Sequence, residues 1–414
     1  MDTTQATGTS LLEEPQGVAL LAQAKVTAPQ VKDCLQQVNQ FVARYLPWFY
    51  RKEQRANARI VIQGLLSGLQ RKTAEPIALQ HGVPRKPIQF FVGSGKWDDE
   101  AVMGELRRHV VEVMGDPAAA LVFDPSTFPK KGTHSCGVAR TWCGRLGKKE
   151  NCQVGLFLGY ATDRGQAPLD RRLYLPKDWA VDRKRRQLCH VPKPVKFQER
   201  WRMALDMLDA HRQSIPHRWV TADDEFGRTQ DFRQGLRRRR EAYVLDVPRS
   251  TLVRDLEARR PRRRPGSQSR HRVVPFVRAE KWAAAQPPEK WRKMQVKDGE
   301  KGPLAVQAIM TQVRTLFDSR IGPEEWLLVL RTSEGEISYH LAWAPWEVTL
   351  EEVVAAHARR QQIEQLFEHG KGEAGLDHYE VRSYVGWHHH MTLSLLALWF
   401  LGQERLAQKK KRRR

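Results

Sequence analysis

The chain has 414 residues and carries 70 lysines and arginines against 47 aspartates and glutamates, so its formal net charge is +23 with histidine neutral. So large a positive excess argues against an ordinary enzyme of small metabolites and favours a polyanionic partner, either nucleic acid or an acidic membrane surface. The longest apolar run, Leu393 to Leu401 broken only by Ser394, has about half of the roughly 20 residues that a spanning helix needs. Because the segment MDTTQATGTS has neither the basic start nor the apolar stretch of a signal peptide, we expect the protein in the cytoplasm.

The composition predicts a large hydrophobic core, since 41% of the residues are hydrophobic and 13 are tryptophan. A chain of this length usually forms two or three domains. The five cysteines are odd in number and not closely paired, which is typical of reduced thiols. Cys136, Cys143 and Cys152 are separated by six and eight residues, whereas zinc sites usually space their ligands by about two to four. The spacing therefore argues against a zinc site made of cysteines.

The first 115 residues have no strand pattern. Residues 1–28 are small, polar and aperiodic, and we interpret them as a flexible tail. Apolar residues then recur at helical spacing, and the segment TAEPIALQHGVPRKPIQFFVGSGKW reads as two short helices separated at Gly82, the second beginning with Arg85 and Lys86. That is the outline of a helix-turn-helix, although two packed helices of a bundle with a basic turn would give the same pattern. Because the net charge favours DNA, we predict a helical DNA-binding domain at 29–115.

After Gly115 the pattern changes to short β-rich runs. Three such runs in succession, followed by alternation of strand and helix, are the order of a ribonuclease-H-like α/β layer. A Pro/Arg-rich stretch at 250–272 marks a boundary, and beyond it WLLVLRT and ISYHLAW flank SEGE as a hairpin. Two long helices follow. We predict a catalytic core at 116–249 and 346–405, a β-rich insertion domain at 250–345 and a basic tail at 406–414.

Two aspartates stand at the predicted ends of strands. Asp124 closes the run AALVFD and precedes Pro125, which we expect to stop the strand, and Asp223 closes HRWVTAD. Ligands of α/β sheets collect at the carboxyl ends of strands. Two acids placed there raise each other's pKa unless a cation such as Mg²⁺ neutralises them. Each acid alone is more typical of a strand-end cap or a solvated charge, so the prediction of a site depends on their combination.

Glu364 is the third candidate, within the predicted helix of residues 350–370. At about 100° per residue, Arg360 and Lys371 lie within about 40° of Glu364 on the helical wheel, which gives one face with Arg, Glu and Lys together. A surface ladder of salt bridges would give the same pattern.

These residues stand in three blocks that resemble the signature blocks of bacterial insertion-sequence DDE transposases, in the branch marked by a Tyr-Arg-Glu-Lys signature. The resemblance covers roughly residues 30–405. Arg360, Glu364 and Lys371 reproduce the spacing of that signature, and His357 occupies the place of its Tyr. The family pattern also favours Asp223 over the adjacent Asp224 as the ligand. The blocks are FDPSTFPKKGTHSCGVARTWCGRLGKKENCQVGLFLGY, WVTADDEFGR and RRQQIEQLFEHGKGEAGLDHYEVRSYVGWHHHMTL.

The resemblance implies a ribonuclease-H-like core in which Asp124, Asp223 and Glu364 hold two Mg²⁺ ions about 4 Å apart, with Mn²⁺ as a substitute. One ion would activate water or a 3′-hydroxyl, and the other would steady the departing 3′-oxygen. The remaining members of the predicted site are basic residues that would bind the phosphates around the scissile bond. They are Arg360, Lys371, His357, Lys130 and Lys131. For Lys130 and Lys131, the alternative is that both are solvated lysines on a loop.

The function implied is that of a transposase that binds the terminal inverted repeats of its element, cleaves there and transfers the 3′-OH ends to target DNA. A homodimer on DNA, associated with the bacterial nucleoid, is expected because two ends must be joined. Two alternatives stay open from the sequence. One is a protein that kept the fold and the DNA binding but no longer cuts, and the other is a ribonuclease-H-type nuclease that hydrolyses without joining.

Overall fold

The computed structural model describes residues 27–259, 273–299 and 302–412. Almost all of the predicted flexible tail at 1–28, residues 260–272 of the Pro/Arg-rich stretch and the last two residues of the predicted basic tail lie outside the described residues. Within the described ranges, none of the helices combines the length and the apolar character needed to span a membrane.

Among the described residues, five α-helices come first, and local signals set their ends. Thr27 caps the first helix, because its side-chain oxygen accepts a hydrogen bond from the backbone N–H of Gln30, whose own side chain bonds back to the Thr27 N–H. Asp98 caps the fifth helix in a similar way. Between the third and fourth helices, Gly82 has a φ of +62°, a left-handed conformation that favours glycine. The helices are α1 (Ala28–Tyr45), α2 (Lys52–Leu66), α3 (Ala74–Gln80), α4 (Arg85–Gly93) and α5 (Asp99–Met114).

The next part of the chain forms a mixed sheet with helices between some of its strands. Three strands, β1, β5 and β6, are parallel and adjacent, and β3 pairs antiparallel with the other side of β1. The strand order here is β2-β3-β1-β5-β6, and β4 also pairs with β3. The strands are β1 (Ala120–Pro129), β2 (Ala139–Cys143), β3 (Lys148–Ala161), β4 (Gln166–Leu173), β5 (Trp219–Ala222) and β6 (Ala242–Asp246). The helices are α6 (Lys177–Val181), α7 (Arg183–Leu188), α8 (Arg200–His211), α9 (Asp224–Gly227) and α10 (Gln230–Arg238).

The strands of the predicted insertion continue this same sheet. β12 pairs antiparallel with β6, and the order runs on as β12-β11-β10-β7-β8, with β9 also paired to β10. The predicted hairpin forms β11 and β12, in which Trp326 lies opposite Ala342. A second, smaller apolar cluster lies here and includes Trp282 and Trp291. The elements are β7 (Leu252–Asp255), β8 (Val277–Arg278), α11 (Ala279–Ala284), β9 (Arg292–Gly299), β10 (Gly302–Phe317), β11 (Arg320–Thr332) and β12 (Ile337–Trp343).

Two long helices close the chain, α12 (Leu350–Glu373) and α13 (Tyr384–Arg412). α12 packs on β1, β3 and β5, whereas α13 packs on β4 and on the N-terminal helices α2, α4 and α5. One apolar cluster therefore extends from Phe41 of α1 through Leu158 of β3 to Trp399 of α13. α13 continues to Arg412, through most of the stretch predicted as a basic tail. The proposed division into domains stays a prediction.

A buried network of charges joins this core to the N-terminal helices. Asp170 of β4, 4% exposed, accepts hydrogen bonds from the backbone N–H of Arg171 and from the side chain of His211 at 2.9 Å. The Arg171 guanidinium, also buried, pairs with Asp99 and with Glu100 of α5 and donates to the Thr392 hydroxyl of α13. Each buried charge therefore has partners of opposite sign, the arrangement in which buried ion pairs are tolerated.

Candidate functional site

The register of the parallel strands places Asp124 and Asp223 side by side. Phe123 of β1 lies opposite Ala222 of β5, so the next residue on each strand is an aspartate. Asp223 also caps α9, because its side chain accepts a hydrogen bond from the backbone N–H of Glu225 at 3.1 Å. The two carboxylates therefore meet at the carboxyl edge of the parallel strands, as the pattern predicts.

The predicted strand end at Pro125 is wrong. β1 continues to Pro129 by pairing with β3, in which Asp124 lies opposite Phe157, and only the parallel pairing with β5 ends at Phe123. A proline has no N–H to donate, but a strand tolerates it where one of its sides is unpaired. Asp124 is therefore held inside a strand rather than at its free end.

Burial and like charges act on both aspartates. The pKa of Asp124 is raised to about 6, mainly by burial and also by the charge of Glu364, although Arg360 and Lys371 oppose the rise. Burial likewise raises the pKa of Asp223 to about 7, helped by the nearby charges of Glu225 and Asp124. The edge of the sheet therefore carries negative charge that the described basic side chains compensate only in part.

Glu364 joins this edge through Arg360. The Glu364 side chain is 57% exposed, and its Oε1 lies 3.1 Å from Nη2 of Arg360, one turn earlier on α12. The other guanidinium nitrogen of Arg360 lies 2.9 Å from Oδ2 of Asp246. Burial disfavours the charged form of Arg360, but Asp246, Glu364, Asp223 and Asp124 outweigh it and raise its pKa. One guanidinium thus pairs with two carboxylates and is stabilised by the charges of two more.

The other predicted basic residues differ in their surroundings. The charge of Lys371 acts on Asp124, and its ammonium lies 5.7 Å from the centre of the Phe128 ring. Lys130 instead donates to the backbone carbonyl of Tyr379 at 3.3 Å and lies 3.2 Å from the centre of that ring. Burial lowers the pKa of Lys130 to about 8. Lys131 is exposed. The structure thus brings Lys371 to the acidic edge, whereas the contacts of Lys130 are with Tyr379.

His357 faces the interior of the protein. It is 6% exposed and its ring centre lies 3.9 Å from that of His340 of β12. Burial lowers the pKa of His357 well below its ordinary value, which favours the neutral ring. A DNA phosphate would reach it only if this side of α12 opened, so the phosphate contact stays a prediction.

Sequence reasoning missed two residues of this region, Asp246 and His340. Asp246 ends β6 beside β5, where Ala222 lies opposite Leu245, so it is the next acid along the same edge after Asp124 and Asp223. The signal was available, since the run EAYVLDV is a third strand that finishes with an aspartate. His340 gave no such signal, because its position in a hairpin strand does not show which face meets α12.

The donor set of the edge fits a hard divalent cation. Asp124, Asp223 and Glu364 offer only carboxylate oxygens, which are the ligands that Mg²⁺ and Mn²⁺ prefer. A bound cation would lower the raised pKa values of the two aspartates. Among the described residues, however, the acids do not form a cluster in which every ligand atom lies within 4.8 Å of the others; Asp246, His340 and His357 do. Glu364 pairs with Arg360 instead.

Comparison with known families identifies the chain. The family described as DDE superfamily endonuclease matches residues 44–303, which is more than half of the chain and includes Asp124 and Asp223 but ends before Glu364. The curated proteins gave no match. Membership implies a DNA substrate and a nuclease of the kind that uses divalent metals, and the mixed, mostly antiparallel sheet is consistent with a DDE or ribonuclease-H-like nuclease domain. The chain therefore belongs to the DDE superfamily endonucleases.

Proposed function

We propose that the protein is the transposase of a bacterial insertion sequence, of the branch with the Tyr-Arg-Glu-Lys signature. It would bind the terminal inverted repeats of its element as a homodimer, cleave the DNA at the ends and transfer the 3′-OH ends to target DNA. The observation that carries this proposal is the convergence of Asp124, Asp223 and Glu364 around Arg360 at one edge of the sheet.

The three acids have separate parts in the proposed reaction. Asp124 and Asp223 are fixed by neighbouring strands and would hold divalent metal, Mg²⁺ or Mn²⁺, at the edge. Glu364 is exposed on α12 and would complete the ligand set when it leaves Arg360. The metal would supply activation of a water or a 3′-hydroxyl and stabilisation of the departing oxygen.

Arg360 and Lys371 would bind the phosphates that flank the scissile bond. Both lie close enough to Asp124 for their charges to lower its pKa, so a phosphate bound to them would lie beside the carboxylates. Arginine and lysine are the usual ligands of DNA phosphates. If Glu364 bound the metal, Nη2 of Arg360 would be free to donate to a DNA phosphate.

The N-terminal helices would supply sequence recognition. Arg85 and Lys86 are exposed at the start of α4, directly after the turn at Gly82 that joins α3 to α4. Arg85 pairs with Glu75 on the surface at 2.7 Å, an exposed salt bridge that a DNA phosphate would replace at little cost. The net charge of +23 would add affinity that falls as salt rises.

The test uses labelled DNA that carries either end of the element with its flanks, purified full-length protein, Mg²⁺ and a plasmid target. The wild type is expected to release a 3′-OH at the tip and to join it to the plasmid. Asp124→Asn, Asp223→Asn and Glu364→Gln are each expected to abolish cleavage but to retain DNA binding. Glu368→Gln, one turn after Glu364 and also exposed on α12, is the matched control and is expected to cut normally.

The same assay separates the alternatives. Cleavage without joining would identify a nuclease without strand transfer. Binding of the ends without any cleavage by the wild type would identify a DNA-binding protein that no longer cuts. Cleavage that survives all three substitutions would refute the assignment of the acids.

A further inference from the structure

A compact cluster of metal-binding side chains lies on the interior side of α12, apart from the three acids. Asp246 ends β6, His340 lies on β12 and His357 lies on α12. Each offers one ligand atom, and these atoms all lie within 4.8 Å of one another. Both histidines are buried, at 1% and 6% exposure.

Two of the three distances within the cluster are close to those around a transition metal, and the shorter is a hydrogen bond that the metal would replace. Oδ1 of Asp246 lies 2.8 Å from Nδ1 of His340 and 3.7 Å from Nδ1 of His357. Ligand atoms around a tetrahedral zinc ion, with bonds of about 2.0 Å, are about 3.3 Å apart. The observed separations fall on either side of this value, so small shifts of the rings would form a coordination site.

One ligand atom has no other use in the structure. Nδ1 of His357 is buried and has no hydrogen-bond partner among the described residues. A buried polar atom without a partner is costly, and native structures rarely leave one. This nitrogen is directed toward Asp246, where a metal ion would satisfy it.

His340 and Asp246 each have a second partner that fixes their orientation, as metal ligands usually do. Nε2 of His340 lies 2.8 Å from the Ser338 hydroxyl, which would leave Nδ1 free to bind metal. Oδ2 of Asp246 pairs with Arg360 at 2.9 Å, so its other oxygen faces the histidines. Such partners orient metal-binding histidines and carboxylates and set their tautomers.

We infer that Asp246, His340 and His357 bind one divalent transition-metal ion, zinc in preference to magnesium. Two imidazoles and one carboxylate suit zinc, whereas magnesium prefers oxygen ligands. The ion fastens α12 to β6 and β12. Since α12 also carries Arg360 and Glu364, the ion fixes the positions of those two side chains. This site does not depend on the proposed function, because it uses none of the three acids.

The test measures metal content in the full-length protein. Protein stripped with a chelator is dialysed against zinc, and bound metal is counted by elemental analysis. The wild type is expected to retain one zinc ion per chain in this cluster, and the variants His340→Gln and His357→Gln are expected to lose at least about a hundredfold in affinity. His134→Gln, which removes an exposed histidine, and Asp124→Asn, which alters the acidic edge, are the controls and are expected to keep the ion.

Two further measurements keep the inference testable if a histidine variant fails to fold. Cobalt added to the stripped wild type is expected to give the intense visible absorption of a low-coordinate site with nitrogen ligands. Zinc is expected to raise the Tm of the wild type and of Asp124→Asn alike. The inference is overturned if the wild type retains no zinc, or if all of its zinc is lost in Asp124→Asn. It is also overturned if both histidine variants still bind one zinc ion per chain.

Discussion

Asp170 and the pair formed by Asp124 and Asp223 are aspartates of the same sheet, yet their surroundings act on them in opposite directions. Burial would raise the pKa of Asp170, but His211 and Arg171 outweigh it and hold that pKa well below its usual range. Burial raises the pKa of Asp124 to about 6 and that of Asp223 to about 7, and the basic groups nearby do not cancel the rise. Asp170 is electrostatically satisfied by the protein, whereas the pair at the edge is not.

This difference separates a charge that stabilises the fold from charges that await a ligand. A buried carboxylate with fixed partners lowers the free energy of the folded state relative to the same carboxylate left alone. Two neighbouring carboxylates without enough positive charge around them raise the free energy of the folded state. Proteins keep such arrangements mainly at functional sites. The comparison gives opposite predictions for one and the same substitution, aspartate to asparagine.

The largest effect on stability is expected at Asp170, whose charge is balanced by its partners. Asp170→Asn removes the partner of His211 and one partner of the buried Arg171, so the free energy of unfolding should fall by about 3 kcal/mol. Urea unfolding of the chelator-treated protein at neutral pH measures it. Asp178→Asn, at an exposed side chain, is the control and should change little. An unchanged unfolding midpoint for Asp170→Asn would show that the network does not stabilise the fold.

At the edge of the sheet, replacement of aspartate by asparagine is expected to stabilise the folded protein. Asp124→Asn or Asp223→Asn removes a carboxylate that burial and its neighbours disfavour, so in metal-free protein the free energy of unfolding should rise by about 1 to 2 kcal/mol. The same urea experiment measures it. A loss of stability comparable to that of Asp170→Asn would contradict the contrast between the two regions.

Mg²⁺ and Mn²⁺, which prefer oxygen ligands, are expected to act at the edge. Excess Mg²⁺ or Mn²⁺ should raise the free energy of unfolding of the wild type by about 1 to 3 kcal/mol, because it binds only the folded state. Asp124→Asn should lose most of this gain, while Asp170→Asn should keep it, with the metal-dependent change in Tm as the readout. Equal gains in both variants would place the metal elsewhere.

Acid is expected to reduce the difference between wild type and Asp170→Asn. The folded-state pKa of Asp170 lies below its value of about 4 in the unfolded chain, so its contribution is complete above that value. That contribution is lost as the pH falls through the folded-state value. Urea unfolding of both proteins between about pH 7 and pH 3 should therefore show the curves converging on the acid side. A difference that stays constant to the lowest pH would contradict the assigned pairing.

The smallest effect is expected at Lys371. Lys371→Ala should weaken binding of an element end by about tenfold and reduce the slope of log affinity against log salt by about one, because one phosphate contact is lost. Binding titrations at several salt concentrations measure both. Lys131→Ala, at an exposed lysine near β1, gives a comparison on the same protein. A larger loss for Lys131→Ala would place the DNA on the other side of the edge.

The positions of Asp124 and Asp223 were accessible from sequence because apolar runs that finish with an acid indicate the carboxyl ends of strands. Parallel neighbours then share that edge, and the register fulfils this expectation. The helix carrying Glu364 was also predictable, since Arg360 one turn earlier gives a pair at helical spacing. The hairpin of β11 and β12 followed from its alternating pattern.

The buried side of α12 was not predictable. Helical spacing places Arg360 and Glu364 on one face but does not say which neighbouring face meets the sheet, so it could not show that His357 packs against His340. The continuation of the sheet into β12 is a long-range pairing that no local pattern contains. Asp246 gains its meaning only from that pairing, which brings His340 to it.

The central claim is that Asp124, Asp223 and Glu364 form a metal-dependent site that cuts DNA. Its most direct test is the rate of 3′-OH release from a labelled element end in Mg²⁺, measured side by side for the wild type, Asp124→Asn, Asp223→Asn, Glu364→Gln and the control Glu368→Gln. We expect cleavage by the wild type and the control, no cleavage without divalent metal, and no cleavage by any of the three variants. Cleavage that persists in the three variants, or that needs no metal, would contradict it.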